Sequence, residues 1–280
     1  MRPFTLSVDI GGTGLKASVL DSRGRMTGPP GRVPTPPRCT PAVLMAALDE
    51  LIAPLPAFDR VSIGFPGVVR DGLVITAPHF QKYFPARFPL ARTLTRRWGK
   101  PVKLLNDADM QGSAVIGGKG LELVVTLGTG MGSALFLDGA LLPHLELAQH
   151  PSPSGRIYNE YIGDKVLKRI GKPAWNRRVK TALEALRTLV TYDRLYVGGG
   201  NSRNVTFTLP HMRRVSNRAG LLGGIVLWNG KTVTPSRPAA GRGGPSRRRS
   251  PAVSRTRGAR GHRRRRDRAA RPPATGRRRT

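Results

Sequence analysis

Two similar units, each a strand, a glycine-rich turn and a second strand, constrain most strongly how this chain can fold. The first begins Val8-Asp9-Ile10-Gly11-Gly12, and the second begins 117 residues later as Val125-Thr126-Leu127-Gly128-Thr129. In both units the second strand ends at an acidic residue, Asp21 or Asp138. This repetition predicts a duplicated α/β fold.

The rest of the chain predicts alternating helices, strands and loops. Residues 28–41 contain six prolines and are predicted to form a loop. A buried strand over 102–105 ends at Asn106-Asp107 and leads into a helix. The apolar segment 219–228 is predicted to be a buried helix, and further helices are predicted over 41–52, 90–98, 157–170 and 174–190.

Glycine-rich turns after strands let backbone N–H groups approach an anion without obstruction by side chains. This chain has three such places, at 11–14, 128–132 and 198–200. They predict sites for a terminal phosphate, for further phosphates and for an adenosine. A Rossmann site is excluded because the first two turns lead into strands, and a P-loop is excluded because Ile225 stands where its first glycine is required.

Two charged residues flank the first glycine turn. Asp9 ends the first strand, where a carboxylate can hold Mg²⁺ through water against phosphates. The alternative is an aspartate that only caps the turn. Lys16 lies on the following strand and either contacts phosphate or is solvated.

Further polar residues stand where side chains can take part in proton transfer or contact substrate hydroxyls. Asp107 can take the proton of an attacking hydroxyl while Asn106 holds a neighbouring hydroxyl, or the pair can simply cap a helix. Glu146, in the apolar run 141–148, needs a polar partner, which is either a substrate hydroxyl or a salt bridge. Three histidines are not spaced as a metal site and are interpreted as ordinary loop residues: His79, His144 and His150.

The positive charge of the chain is uneven. Of the 48 Lys and Arg and 16 Asp and Glu residues, 18 basic residues and only Asp267 lie in 231–280, so this tail carries 18 − 1 = +17 of the total +32. The tail has too few apolar residues to form a core and is predicted to be disordered. It is either an arm that binds nucleic acid or polyphosphate, or an extension that was never selected.

Because the chain has a single cysteine, Cys39, it cannot form disulfides, iron–sulfur clusters or cysteine-ligated zinc sites within one chain. The N-terminus lacks a signal-peptide core, and the longest uncharged apolar stretch, 123–137, is shorter than the about 20 residues that span a bilayer. The sequence therefore predicts a cytoplasmic protein with no membrane partner.

In order from Phe4 to about Trp228, these motifs resemble the ROK family of sugar kinases, within the actin-like ATPase superfamily. The resemblance is strongest to the family's polyphosphate glucokinases. It is carried by six segments: 8–16, 64–69, 105–109, 126–134, 146–148 and 198–202.

The resemblance implies an α/β fold of two actin-like (ribonuclease H-like) lobes with a cleft between them. Asp107 would be the general base on the sugar 6-hydroxyl, and Asp9 would support Mg²⁺. The donor phosphates and nucleotide would be held by Gly11, Gly12, Thr13, Gly128, Thr129, Gly130, Gly198, Gly199 and Gly200. The sugar would contact Asn106, Asp107, Glu146 and the 64–67 loop, including Gly67.

Three departures from the family pattern stand out. Gln149 stands where a sugar-binding histidine is expected, unless His150 substitutes after a one-residue shift. Asn159, next to Glu160, occupies the place of a second sugar-binding glutamate. The family's cysteine-rich zinc motif is absent, so no zinc is expected.

The sequence thus predicts a kinase that transfers phosphate from polyphosphate, ATP or both to the 6-hydroxyl of glucose, with mannose as a second acceptor. The alternatives are a degenerate ROK protein that binds nucleic acid through its tail, and an ATP-dependent kinase for another hexose or an amino sugar. The predicted lobes are 1–105 and 106–230, with the helix at about 216–228 packing back on the first lobe. The resemblance suggests a homodimer.

Overall fold

Each of the two glycine-turn units lies at the centre of a five-stranded sheet in the computed structural model of the chain. The structure describes residues 2–78, 80, 82–216 and 219–228. The first sheet contains β1 (Thr5–Ile10), β2 (Gly14–Leu20), β3 (Gly31–Pro34), β4 (Arg60–Phe65) and β7 (Val102–Asn106). Between β4 and β7, the strands β5 (Val69–Arg70) and β6 (Leu73–Val74) form a separate small hairpin. Its strand order is β3-β2-β1-β4-β7.

The second sheet repeats this arrangement. It contains β8 (Leu121–Leu127), β9 (Met131–Leu137), β10 (Ala140–Leu141), β11 (Arg194–Gly198) and β12 (Met212–Arg214), in the order β10-β9-β8-β11-β12. In each sheet the first strand pairs antiparallel with the second, and the second with the third, whereas the remaining pairs are parallel. The repeated units in the sequence therefore mark two lobes of the same topology.

Six α-helices accompany the sheets in the described part of the chain: α1 (Pro41–Ile52), α2 (Leu90–Trp98), α3 (Asp107–Ser113), α4 (Tyr158–Ile162), α5 (Asp164–Val190) and α6 (Ala219–Leu222). Short 3₁₀ helices cover Leu147–Gln149, Gly200–Asn204 and Gly223–Trp228. Helix α1 begins as its sequence predicts, with Pro41 in the first turn and the Thr40 hydroxyl accepting a 3.3 Å hydrogen bond from the backbone N–H of Val43. No described helix is long and apolar enough to cross a membrane.

Helix α3 lies between the two sheets and packs on both. Gly64 of β4 approaches Met110 and the Cα atom of Asp107, where a Cβ atom would lie 3.1 Å from that Cα. On the other side, Gly112 packs against the ring of Phe136 on β9. The helix that follows Asn106 therefore joins the two lobes at the centre of the molecule.

The segment 219–228 packs against the first sheet. The hydroxyl of Ser7 donates a 2.6 Å hydrogen bond to the Leu221 carbonyl, and that of Ser62 donates a 2.7 Å bond to the Gly224 carbonyl. The Nζ atom of Lys103 donates to the Leu227 carbonyl at 2.8 Å. The C-terminal end of the described chain thus covers β1, β4 and β7.

Three local predictions need correction. The predicted loop 28–41 contains β3, an edge strand that pairs with β2 and tolerates Pro34 because it has no partner on its outer side. The predicted helices at 157–170 and 174–190 are α4 and the longer α5, which is interrupted at Gly171 by a φ of 75°. The final helix is one α-helical turn followed by 3₁₀ helix. The predictions for the tail, 231–280, and for His79 lie outside the described residues.

Candidate active site

A cleft of about 460 Å³ is lined by residues of both lobes. It gathers most of the residues that the sequence singled out. From the first lobe come Asp9, Gly11, Gly12, Thr13, Lys16 and Gly67. From the junction of β7 and α3 come Asn106 and Asp107, and from the second lobe come Gly128, Thr129, Gly130, Glu146, Asn159, Gly199 and Gly200. Residues separated by up to 191 positions in the chain therefore share one site.

Asp107 is the first residue of α3 and faces the cleft. Burial, together with the negative charges of Asp9 and Asp109, raises the pKa of its carboxyl to about 7, even though the backbone N–H of Ala108 and the charge of His144 act to lower it. A carboxylate with a pKa near neutrality can accept a proton from a bound hydroxyl. The geometry therefore suits Asp107 to general base chemistry.

Asn106 is the N-cap of α3. Its Oδ1 atom accepts hydrogen bonds from the backbone N–H groups of Ala108 at 2.8 Å and Asp109 at 3.2 Å. Its Nδ2 atom donates to the carbonyl of Gly67 at 3.1 Å. The helix-capping alternative for Asn106 is thus present in the structure, and the same side chain fixes the loop that contains Gly67 relative to Asp107.

Asp9 and Lys16 face each other across the first strand pair. They are opposite in the register of β1 and β2, and the Lys16 Nζ atom lies 3.3 Å from the Asp9 Oδ2 atom. Their side chains are only 20% and 25% exposed, and both line the cleft. Lys16 is therefore an ion-paired cation of the site rather than a solvated surface lysine.

The two glycine turns are closed by equivalent hydrogen bonds. The N–H of Gly11 donates to the Gly14 carbonyl at 3.0 Å, and the N–H of Gly128 donates to the Gly130 carbonyl at 2.9 Å. The second turn is supported from behind, where Asn201 Nδ2 donates to the Gly128 carbonyl at 3.2 Å. Residues of both turns line the cleft, where backbone that holds an anion must lie.

Asn159 supports the second turn. Its Oδ1 atom accepts a 2.7 Å hydrogen bond from the backbone N–H of Met131, and its side chain lies against Gly130. The amide oxygen is therefore committed to the turn. This position was expected to contact sugar, and in the structure its first role is to fix the glycine turn.

Glu146 reaches the cleft with a side chain that is 31% exposed. Its Oε1 atom lies 3.3 Å from His144 Nε2. The His144 Nδ1 atom lies 3.1 Å from both carboxylate oxygens of Asp109. The salt-bridge alternative for Glu146 is thus present in the structure, and the side chain also lines the cleft.

Several residues proposed from the sequence lie elsewhere. Gln149 is exposed on a 3₁₀ helix, outside the residues that line the cleft. Gly198 is buried at the end of β11 and does not line the cleft, whereas the next residue, Gly199, does. His150 also lies outside the lining, stacked 5.5 Å from Tyr158.

Among the residues of the cleft that were not predicted from the sequence are His144, Arg32 and Gln111. His144, interpreted as an ordinary loop histidine, has a side chain only 7% exposed between two carboxylates. Its spacing of two from Glu146 in an extended segment was the available signal, since such residues share one side. Arg32 lay in the predicted proline loop. Gln111 lines the cleft with its Nε2 atom buried and, among the described residues, without a hydrogen-bond partner.

The residues suited to hold Mg²⁺ are limited. In the described part of the chain, no group of three or more His, Cys, Asp or Glu side chains is arranged to hold a metal ion. Asp9 supplies one carboxylate at the cleft next to the first glycine turn. One carboxylate together with phosphate oxygens is a usual donor set for Mg²⁺, which keeps several of its waters. The cleft therefore fits a magnesium ion that arrives with a phosphorylated ligand.

Comparisons with known proteins agree with this arrangement. The family model described as "ROK family" matches residues 5–143. A polyphosphate glucokinase of Mycobacterium tuberculosis is 28% identical over 233 residues, which cover 77% of this chain and 88% of that protein. An inorganic polyphosphate/ATP-glucomannokinase from Arthrobacter sp. strain KM is 30% identical, and its crystal structure matches with a TM-score of 0.72 over 81% of this chain and 100% of that one. An N-acetylmannosamine kinase of Escherichia coli is 34% identical over 143 residues, 49% of each chain.

Proposed function

The chain belongs to the ROK family, and we propose that it is a sugar kinase that transfers a phosphoryl group from polyphosphate or ATP to the 6-hydroxyl of glucose. The observation that carries this proposal is the position of Asp107. It lies in the cleft with both glycine turns, and its pKa is raised to about 7. A base therefore stands beside two sites for phosphate.

In the proposed reaction the 6-hydroxyl of the sugar attacks the terminal phosphorus of the donor. The O–H bond breaks as the new P–O bond forms, and the proton goes to the Asp107 carboxylate. The P–O bond to the leaving phosphate breaks, and its electron pair stays on that phosphate. Because phosphoryl transfer depends mainly on position and charge, Asn106 contributes by fixing Asp107 and the Gly67 loop.

The donor phosphates would lie against Gly11–Thr13 and Gly128–Gly130, with the 198–200 turn next to a nucleotide base. Lys16 supplies a cation at the first turn. Asp9 would hold Mg²⁺ through water, and the bound ion would reduce the charge of the donor phosphates. The basic helix α2 takes no part in this site: Arg92, Arg96 and Arg97 do not line the cleft, and Arg97 pairs with Asp49.

The sugar would lie between Asp107 and Glu146. Glu146 presents a carboxylate at the cleft that can accept hydrogen bonds from sugar hydroxyls. The similarity to polyphosphate glucokinases and to a glucomannokinase supports glucose or mannose as the acceptor. The similarity to N-acetylmannosamine kinases favours an amino sugar as the alternative acceptor.

A matrix of acceptors and donors tests the proposal. Glucose, mannose and N-acetylmannosamine are each supplied with Mg²⁺ and either ATP or polyphosphate, and the sugar phosphate formed is measured directly. We expect phosphorylated glucose or mannose with at least one donor. If N-acetylmannosamine is the preferred acceptor, the glucose assignment is wrong; if no sugar is phosphorylated, the kinase proposal itself is wrong.

A second candidate function rests on the charge of the tail. Residues 231–280 carry +17, which is enough to bind nucleic acid non-specifically. In that case the protein would be a degenerate family member with weak or no kinase activity. Duplex DNA binding by the full chain, without phosphorylation of any sugar, would favour this function over the first.

A further inference from the structure

His144 lies between two carboxylates from different parts of the site. Its Nδ1 atom is 3.1 Å from both oxygens of Asp109 on α3, and its Nε2 atom is 3.3 Å from Glu146 Oε1. A carboxylate only accepts hydrogen bonds, so a ring bonded to carboxylates at both nitrogens must carry a proton on each. With both acids ionised, the geometry therefore calls for an imidazolium.

The charges around His144 support that state. Burial disfavours a charged imidazole, but the hydrogen bonds and charges of Asp109 and Glu146 outweigh it and raise the pKa of His144 to about 10. The pKa of Asp109 is itself raised by burial and lowered by His144. Asp107 is the remaining acid that interacts with this cation, and His144 lowers its pKa.

Asp109 is the buried partner of His144 on helix α3. Its residue is 3% exposed, and its backbone N–H donates to the Asn106 cap of α3. The same helix begins with Asp107. His144 therefore connects the Glu146 carboxylate, which lines the cleft, to helix α3, which carries the proposed base Asp107.

We propose that His144 is a positioning residue of the sugar site, which holds the Glu146 carboxylate in the orientation that accepts hydrogen bonds from the sugar. This inference rests on the proposed sugar kinase function. The Glu146 side chain is 31% exposed and its carboxylate has no other hydrogen-bond partner among the interactions of the described residues, so without His144 it would be free to rotate toward solvent. Loss of His144 should then weaken sugar binding more than it slows phosphoryl transfer.

Two substitutions separate the two contacts. An asparagine amide occupies the place of the histidine Nδ1 atom, so H144N retains a donor toward Asp109 and releases Glu146. A glutamine amide reaches the place of Nε2, so H144Q retains a donor toward Glu146. The matched control is H211N, because His211 is exposed and does not line the cleft.

The KM for sugar and for the donor and the kcat are measured for the wild type and the three variants, with thermal unfolding as a check on folding. We expect H144N to raise the sugar KM about tenfold, with kcat within about threefold and the donor KM unchanged. H144Q should recover part of the loss, and H211N should match the wild type. A sugar KM at the wild-type value in both folded His144 variants, or a larger loss in H144Q than in H144N, would overturn the proposal.

The pH dependence gives a second, independent readout. In the wild type the cation persists below a pKa of about 10, so the sugar KM should be constant from about pH 6 to 8.5. D109N removes one of the two carboxylates that raise this pKa, so His144 should lose its proton at a lower pH and the sugar KM should rise as the pH rises. The histidine ring signal that H144N removes from the NMR spectrum should titrate with the same midpoint. A constant sugar KM in folded D109N, together with a shifted His144 titration, would contradict the proposal.

Different results would contradict the proposed kinase function and the proposed role of His144. A wild-type chain that phosphorylates no sugar with either donor contradicts the proposed function, and with it the role of His144. A wild-type chain that is active, with His144 variants that bind sugar normally, contradicts only the role of His144. If D109N does not fold, the comparison of H144N with H144Q still decides the question.

Discussion

Gly199 lies directly against the backbone of Leu127, at the point where β11 and β8 end beside the cleft. A Cβ atom at Gly199 would contact the Leu127 carbonyl oxygen and lie 2.6 Å from the Leu127 nitrogen. The φ angle of Gly199 is 82°, which side chains also disfavour. This close approach places the 198–200 turn beside the 128–130 turn.

We therefore predict that Gly199→Ala lowers the free energy of unfolding by about 2 kcal/mol or more, because both sterics and φ oppose a methyl group. The matched control is Gly200→Ala, since nothing lies within 4 Å of a Cβ atom at Gly200 and its φ is not positive. Chemical denaturation of the two variants measures the difference. Equal stabilities would show that the backbone contact at Leu127 is not as tight as described.

Asp107→Asn tests the proposed base. The amide cannot accept the proton, so kcat should fall roughly a thousandfold while sugar still binds. Because burial and neighbouring acids disfavour the charged Asp107, the variant should be at least as stable as the wild type at pH 8. Turnover and calorimetric sugar binding are measured on the same preparation. Near-normal turnover in a folded variant would rule out Asp107 as the base.

The pH profile of the wild type follows from the same group. The pKa of Asp107 is raised to about 7, and only the ionised form accepts a proton. The value of kcat/KM should therefore fall as the pH drops through about 7, approaching a tenfold loss per pH unit below it. Initial rates measured from pH 5.5 to 9 check this fall in kcat/KM. A control shows that the detection step does not limit the rates. A rate that remains constant down to pH 5.5 would contradict an elevated pKa at the base.

The features that were predicted correctly from the sequence depend on patterns that are local in the chain. The strand–glycine–strand units and the position of Asp107 after a buried strand follow from residues that are neighbours in the chain. β3 was missed because prolines usually break strands, and only the pairing of Val33 with Leu15 shows that an edge strand forms there. The buried position of His144 between two acids was missed because Asp109 lies 35 residues away, and only the folded chain brings the two together.

Gln149 is a predicted sugar contact that lies outside the residues lining the cleft. It was expected to replace a sugar-binding histidine, yet it is exposed and does not line the cleft, whereas Glu146 does. We predict that Gln149→Ala changes the sugar KM by less than about twofold, whereas Glu146→Gln raises it about tenfold. Sugar saturation curves at a fixed donor concentration compare the two. A large effect of Gln149→Ala would mean that the 147–149 segment moves to contact sugar.

Truncation separates the folded body from the charged tail. Ser62 accepts a 2.8 Å hydrogen bond from Trp228 Nε1, and Lys103 lies 4.6 Å from the Trp228 ring centre. A chain ending at residue 230 keeps these contacts, so its melting temperature should stay within about 2 °C of the full chain, with unchanged sugar phosphorylation. A chain ending at residue 218 exposes the first sheet and should not fold.

Comparison of the chain that ends at residue 230 with the full chain measures what the tail contributes to polyanion binding. Removing residues 231–280 takes away 18 basic residues, so binding to polyphosphate or duplex DNA at low salt should weaken and lose much of its salt dependence. The KM for ATP should not change, because every described residue that lines the cleft precedes residue 201. If the KM for polyphosphate rises while the KM for ATP stays constant, the tail assists the polymeric donor. If sugar phosphorylation with ATP is also lost, the tail supports the folded body, and the division at residue 230 is wrong.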